Sequence, residues 1–336
     1  MSKPKVRVWL VVALAASMAI LSGCGSTSPN GSSPGQTAKK EFVVGVVQMT
    51  QDIPVQIAMS KGMEEKAKEI GGIKINVLNG QFDVAKQMNG IENFIQQKVD
   101  AIILNPADAD SIVNGVKAAN KAGIPVITFD TNATGGDVTS FIESNNGMAG
   151  QLVGEYMAWR LKGKGKVAIL DLPTVSAVRD RTAAWKKVME KYPDIKVVQT
   201  QIAATVPDGL KQAENILQAH PDLDAFFAIN DPGGLGAAQA IKAAGLQNKV
   251  FVAAIDGDPK AVEMVGKGEI YGLTVAQFGS EIGRVALQTA YDVITGKKVE
   301  KHLMVPVMPV TQENYKNYPG WGGTVPADLT PPWTKK

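Results

Sequence analysis

The chain has 336 residues, enough for about two domains. Its single cysteine excludes an intrachain disulfide and a cysteine-based zinc site, and two histidines leave little for histidine-centred chemistry. A net charge of +3 on 67 charged residues is no footprint of nucleic-acid binding, which needs a clustered basic face.

The three surplus charges sit at the front. Lys3, Lys5 and Arg7 precede an apolar run over 9–21, which ends in Leu21-Ser22-Gly23-Cys24. A basic start, a short apolar run and small residues form a secretory signal. The run is shorter than the roughly 20 residues a spanning helix needs. Its end resembles a bacterial lipobox, which implies that residues 1–23 are removed and that Cys24 carries lipid. Two acyl chains on Cys24 give stable membrane anchoring rather than marginal binding. Without residues 1–23, 32 bases face 32 acids. Residues 24–40 are rich in Gly, Ser and Pro and read as a flexible tether.

From residue 42 apolar strands alternate with helical patterns. Strands are expected over 42–47, 74–78, 100–104 and 124–129, with helices over 54–70, 84–97 and 111–122 between them. The second half repeats the scheme, with strands over 166–170, 195–199, 224–229 and 250–255 and helices over 176–190, 208–219, 235–244 and 259–266. Near-continuous apolar strands are those buried on both faces of a parallel sheet. Their alternation with helices indicates an α/β, doubly wound fold. One unit runs from Asp100 through Asn105 to Asp130, and an echo of it runs from Asp224 through Asn230 to Asp256. The chain therefore reads as two similar α/β lobes. Ligands of open parallel sheets bind outside the carboxyl ends of the strands, where Asn105, Asp130, Asn230 and Asp256 fall.

Several stretches carry a family resemblance. They are Asn120-Lys-Ala-Gly-Ile-Pro-Val-Ile-Thr-Phe-Asp130, Ser176-Ala-Val-Arg-Asp-Arg181, Ala219-His-Pro-Asp222, Phe227-Ala-Ile-Asn-Asp231, Ile255-Asp256-Gly257 and Thr274-Val-Ala-Gln277. In order and spacing the chain resembles the periplasmic sugar-binding proteins of ABC importers, in the ribose-binding branch, over residues 42 to 312. The resemblance implies two parallel-sheet lobes joined by three hinge segments, near 143–146, 276–278 and 307–310. The N-terminal lobe would be 41–143 plus 278–307, and the C-terminal lobe with the tail 144–277 plus 308–336. It also implies a sugar or polyol as ligand, an ABC permease as partner, hinge closure on binding and a monomer. Asp130, Arg181, Asn230, Asp256 and Gln277 match the family's polar ligand contacts. Carboxylates only accept hydrogen bonds, a guanidinium only donates and amides do both, which suits a ligand made of hydroxyls.

Two departures alter the expected wall of the site. The loop after the first strand, 48–56, has no aromatic, and the family's arginine after the first-lobe aspartate is here Thr131. Gln51 and Asp52 are candidates for polar contacts from that loop, whereas Asn105 and Asp231 read as helix caps. The family's second-lobe stacking position falls near Ala204 or Thr205. The tail after Thr311, with Tyr315, Tyr318, Trp321 and Trp333 among Pro and Gly, is expected to pack on a lobe surface.

Enzymatic readings find little support. Lys162-Gly-Lys-Gly-Lys166 lacks P-loop spacing, and Gly233-Gly-Leu-Gly236 lacks the third glycine of a dinucleotide fingerprint. Neither a cofactor nor a metal is expected. A regulator of the lactose-repressor type shares the fold, but would carry a DNA-binding segment where this chain has a signal and tether. A lipoprotein that presents ligand to a membrane receptor, or one that binds a nucleoside or other non-sugar solute, remains the alternative.

Overall fold

The computed structural model describes residues 41–334, so the expected signal peptide, Cys24 and the expected tether lie outside the described residues. The first sheet is built from β1 (Phe42–Gln48), β2 (Ile73–Asn79), β3 (Ala101–Leu104), β4 (Val126–Phe129), β5 (Ser140–Ser144) and β11 (His302–Val305), in the order β11-β5-β4-β3-β1-β2. All its pairings are parallel. The second sheet holds β6 (Lys164–Asp171), β7 (Asp194–Ile202), β8 (Ala225–Ala228), β9 (Phe251–Asp256), β10 (Tyr271–Ala276) and β12 (Met308–Val310), in the order β12-β10-β9-β8-β6-β7. Only β12 runs antiparallel there. The first five strands of each lobe thus share one doubly wound order, 2-1-3-4-5, as the echo in the sequence implies.

Burial explains the strands. Every residue of β3, β4, β8 and β9 is buried, so both faces are apolar and covered by helices. The first lobe carries α1 (Pro54–Ile70), α2 (Val84–Gln97), α3 (Val113–Lys121) and α9 (Gly279–Ile294). The second carries α4 (Asn146–Arg160), α5 (Ser176–Met189), α6 (Val206–Ala219), α7 (Asp231–Ala243) and α8 (Pro259–Lys267). The helix expected over 235–244 begins at Asp231, because Asn230 caps it and Pro232 is tolerated in a first turn.

Three helix pairs, α1 with α9, α4 with α5 and α6 with α7, cross where glycines let backbones touch. A Cβ on Gly62 would meet the carbonyl of Ser280, one on Gly283 that of Met59, and one on Gly150 that of Arg181. The α4 contact matters for function because it sets where the base of the Arg181 side chain begins.

The chain passes between lobes at three places. Asn145 links β5 to α4, residues 277–278 link β10 to α9, and residues 306–307 link β11 to β12. The tail then leaves the second sheet, makes a short 3-10 turn at Tyr315–Asn317 and runs back across the 277–278 crossing. No described helix is long and apolar enough to cross a membrane.

Two glycines of α4 give a paired test. Gly147 is exposed, and a Cβ there would meet nothing closer than 3.9 Å. Ala at an exposed helical position gains about 1 kcal/mol over Gly. At Gly150 the same gain is opposed by overpacking against a backbone carbonyl that cannot swing aside, typically about 1–3 kcal/mol. Thermal unfolding should show Gly147→Ala at or above the parent Tm and Gly150→Ala several degrees below it. Equal Tm values would remove the close-approach argument.

Candidate functional site

The carboxyl ends of the two sheets face each other across one cavity. Met49, Gln56, Phe82 and Asp130 line it from the first lobe, and Arg181, Ala204, Asn230 and Asp256 from the second. Gln277 lines it from the crossing itself. The lobes touch at its mouth: Ala109 N–H donates to the Thr174 carbonyl at 3.1 Å, and Asn132 N–H to Ser176 Oγ at 2.8 Å. Arg179 pairs with Asp110 at 3.6 Å beside them.

Asp130 follows β4 and Asp256 ends β9, and both carry positive φ, 61° and 140°. Such backbone is costly for residues other than glycine and persists where surrounding structure fixes it. Asp130 N–H donates to the Ile142 carbonyl at 2.8 Å. Its Oδ2 accepts from Gln56 Nε2 at 2.7 Å and from Asn105 Nδ2 at 3.2 Å. Asn105 also donates to Gln56 Oε1 at 2.7 Å, which closes a triangle of side chains.

In the second lobe Asp256 Oδ1 accepts from Gln277 Nε2 at 2.6 Å and lies 3.5 Å from Arg181 Nη1. Arg181 is held from behind. Its Nε donates to Asn146 Oδ1 at 2.7 Å and its Nη1 to the Ile229 carbonyl at 2.8 Å. Asn146 in turn donates to Glu143 Oε2 at 2.7 Å, and the other Glu143 oxygen meets His302 Nε2 at 2.7 Å. That line of contacts runs through the Asn145 crossing from the cavity to a half-exposed imidazole.

Burial dominates the electrostatics. It pushes the Asp256 carboxyl up to about 7, against the pull of Arg181 and the Gln277 hydrogen bond, with the Asp130 and Asp258 charges adding to the rise. Behind it, Asp231 is fully enclosed, and burial together with the Asp256 charge holds its carboxyl well above the usual range. Burial also raises Glu143.

The remaining valences point at a ligand. Asp130 Oδ1, Asp256 Oδ2 and Arg181 Nη2 have no hydrogen-bond partner among the described residues. One cavity thus presents two spare acceptors and one spare donor, between apolar walls that include Phe82, Leu172, Val175 and Val178.

The sequence expectations fare unevenly. Asp130, Arg181, Asn230, Asp256 and Gln277 all line the cavity. Both ends of the Asn230 amide are engaged within the protein: Oδ1 caps α7 through Gly233 N–H at 3.0 Å, and Nδ2 donates to the Ala204 carbonyl at 2.9 Å. The structure does not bring Gln51 and Asp52 to the cavity. The backbone N–H of Gln51 donates to Asn79 Oδ1, and the exposed Asp52 carboxylate accepts from the Thr50 hydroxyl. Nor does Asp52 cap α1, whose N-cap is Ile53 without a side-chain bond. Asn105 is not a helix cap, because α3 begins only at Val113, so its amide is free to reach Asp130 and Gln56. Asp231 sits in the first turn of α7 with Asn230 as its cap, and its carboxylate accepts from Asp258 N–H and the Thr274 hydroxyl.

Two cavity residues are not legible in the sequence. Gln56 lies in the first turn of α1, where polar residues are ordinary. Phe82 comes from the β2–α2 loop, where Gln81 and Phe82 both have positive φ and Phe82 N–H donates to the Met49 carbonyl at 2.9 Å. That turn supplies an aromatic the β1–α1 loop lacks. A run of two left-handed residues other than glycine has no simple sequence signal. Among the described residues no group of His, Cys, Asp or Glu is placed to hold a metal ion.

Comparison with known proteins agrees with this architecture. Residues 44–298 match the periplasmic binding protein domain family. The ribose import binding protein RbsB of Bacillus subtilis (strain 168) is 35% identical over 305 residues, which covers 90% of this chain and 98% of that one. Among solved structures, an ABC transporter solute binding protein from Bacillus halodurans C-125 with bound myo-inositol superposes with a TM-score of 0.79 at 33% identity, covering 83% of this chain and 97% of that one. Another from Actinobacillus succinogenes 130z with bound D-allose gives 0.76 at 30% identity, covering 82% and 100%. By sequence match and by fold, the chain belongs to the periplasmic binding protein domain family.

Proposed function

We propose that this protein captures a neutral sugar or polyol between its lobes and delivers it to an ABC permease, anchored to the membrane by lipid on Cys24. The observation that carries the reading is the set of spare valences. Asp130 Oδ1 and Asp256 Oδ2 accept from ligand hydroxyls, and Arg181 Nη2 donates to a hydroxyl or ring oxygen. Phe82 and the aliphatic wall cover the C–H faces of the ring. A formally neutral protein body with Asp130, Asp256 and Arg181 turned inward suits a ligand that is uncharged but rich in hydroxyls. The relatives support this choice, since those named above bind or import ribose, D-allose or myo-inositol. The named relatives are transport binding proteins, which supports a role in transport rather than catalysis. Hinge closure around ligand is the motion that the handling of solutes by such two-lobed proteins requires.

Thermal-shift screening of residues 25–336 against D-ribose, D-allose, myo-inositol and adenosine tests the ligand class. Saturation at 100 times Kd adds roughly 2.7 kcal/mol, which a melting curve resolves. At least one polyol should raise Tm. A shift by adenosine alone would overturn the polyol reading. Hydrogen bonds to charged groups contribute about 1.5–3 kcal/mol. Asp130→Ala and Asp256→Ala should therefore each weaken calorimetric affinity at least about tenfold with unchanged circular dichroism.

The same aspartate makes a pH prediction. Folded Asp256 keeps its proton to about pH 7, whereas the unfolded group releases it near 3.8. Between those values the folded state binds more protons, so stability without ligand falls as pH rises from about 4 to 7. Asp256→Asn should flatten that slope and raise Tm at pH 7.5 while abolishing binding. A variant that melts lower at pH 7.5, with the slope intact, would contradict the buried-carboxyl account.

For the anchor, fractionation of cells should find the protein with membranes and a Cys24→Ala variant released from them or left unprocessed. Identical behaviour of the two would remove Cys24 from its role.

A further inference from the structure

The tail beyond β12 is more than a surface covering. Tyr318 places its hydroxyl 3.1 Å from the carbonyl of Gln277, to which it donates, and its ring meets Phe278 edge-on at 6.0 Å. Trp321 donates its indole N–H to the carbonyl of Asp256 at 2.7 Å. The carbonyl of Trp321 accepts the N–H of Ser280 at 3.1 Å. Asp256 belongs to the second lobe, and Ser280 lies in the first turn of α9 in the first. One tail residue is therefore bonded to a ligand-facing residue of one lobe and to a helix start of the other, directly over a hinge crossing. The tail is pinned further on, where Trp333 is buried edge-on against Tyr156 of α4 at 5.3 Å.

The site needs such a brace. Asp256 has φ of 140°, a conformation that L side chains rarely adopt. Its carbonyl accepts only two donors among the described residues, Gln277 N–H at 3.0 Å and the Trp321 indole. Those two bonds hold the 256–257 peptide, on which the unusual backbone of Asp256 depends. Strained backbone persists only where several contacts fix it. In addition, α9 has no side-chain cap, so the Trp321 carbonyl satisfies one of its first, otherwise orphaned N–H groups.

We infer that Trp321 is a positioning residue: through the tail strap it fixes the Asp256 and Gln277 backbone for ligand binding and couples the 277–278 hinge to both lobes. The inference rests on the binding site proposed above, and on no property of the ligand beyond its contact with Asp256.

The test uses three proteins spanning residues 25–336: the parent, Trp321→Phe and Trp333→Ala. Trp321→Phe keeps an aromatic ring and the backbone carbonyl to Ser280 but removes the indole N–H. Trp333→Ala loosens the tail far from the cavity and controls for general loss of stability. Two quantities are read: calorimetric affinity for D-ribose, D-allose and myo-inositol, and hydrogen exchange at the Gly257, Gln277 and Ser280 amides without ligand. Trp321→Phe should lose at least tenfold in affinity for whichever polyol the parent binds. Its Gly257 and Gln277 amides should exchange at least several-fold faster while Ser280 stays protected. Trp333→Ala should keep parental affinity even where its Tm falls as far. Parental affinity and parental exchange in Trp321→Phe would overturn the inference, as would equal affinity losses in the two variants. A parent that binds none of the three polyols would sink the ligand class instead, and the exchange of Gly257 and Gln277 alone would then decide the strap.

Discussion

Two carboxylates are held at the ends of buried strands on left-handed backbone, and the surrounding structure is arranged to keep them there. Each position carries a conformational cost of about 1–3 kcal/mol and a desolvation cost on top, which Asp256 shows in its raised carboxyl. The two lobes meet these costs differently. Asp130 is secured within its own lobe, by Ile142 through the backbone and by Gln56 and Asn105 through the side chain. Asp256 is secured by groups that belong to the hinge and the tail, Gln277 and Trp321, with Arg181 alongside. The second lobe's strand-end carboxylate is thus tied to the 277–278 crossing and the tail.

The duplication sharpens this asymmetry. Both sheets have the same strand order; Asn105 directly follows β3, and Asn230 follows the equivalent strand β8 one residue later, after Ile229. They do different work because the following loops differ in length. After Asn230 the helix α7 starts at once, so the side chain becomes its cap. After Asn105 seven residues intervene before α3 at Val113, so no helix end is in reach and the amide turns to Asp130 and Gln56. The same residue type just beyond equivalent strands, one residue further along in the second lobe, is a positioner of a carboxylate in one and a cap in the other.

This contrast marks what the sequence discloses. Strands such as β3, β4, β8 and β9 are visible because burial on both faces makes them continuous apolar runs, and the polar residue that ends each is visible for the same reason. The doubly wound fold and the strand-end aspartates follow from that. Helix α4 is not visible by periodicity: Gly150 and Gly154 press on α5, Tyr156 faces Phe251 and Trp333, and the solvent face mixes Gln151 and Glu155 with the exposed Met148 and Trp159. Gln56 and Phe82 escape because their place in the cavity depends on a loop geometry and on neighbours far along the chain. The tail escapes most completely. Trp321 acts by donating to one carbonyl and lending its own, and backbone hydrogen bonds of that kind leave no pattern among residue types.

Gln277 shows why the hinge and the site are one object. Its Oε1 accepts the Ser144 hydroxyl at 2.7 Å, from the end of β5 in the first lobe. Its Nε2 donates to Asp256 in the second. An amide performs both tasks: an ionised carboxylate there would not donate, and an ammonium would not accept. A ligand that satisfies Asp130 on one lobe and Asp256 and Arg181 on the other makes all of its contacts only when the lobes meet. It therefore binds the closed arrangement more tightly than the open one, and that difference in affinity is the whole of its power to shift the equilibrium. Because Asp256 is bonded to Gln277 at the crossing itself, what fixes the carboxylate also fixes the passage of the chain between the lobes.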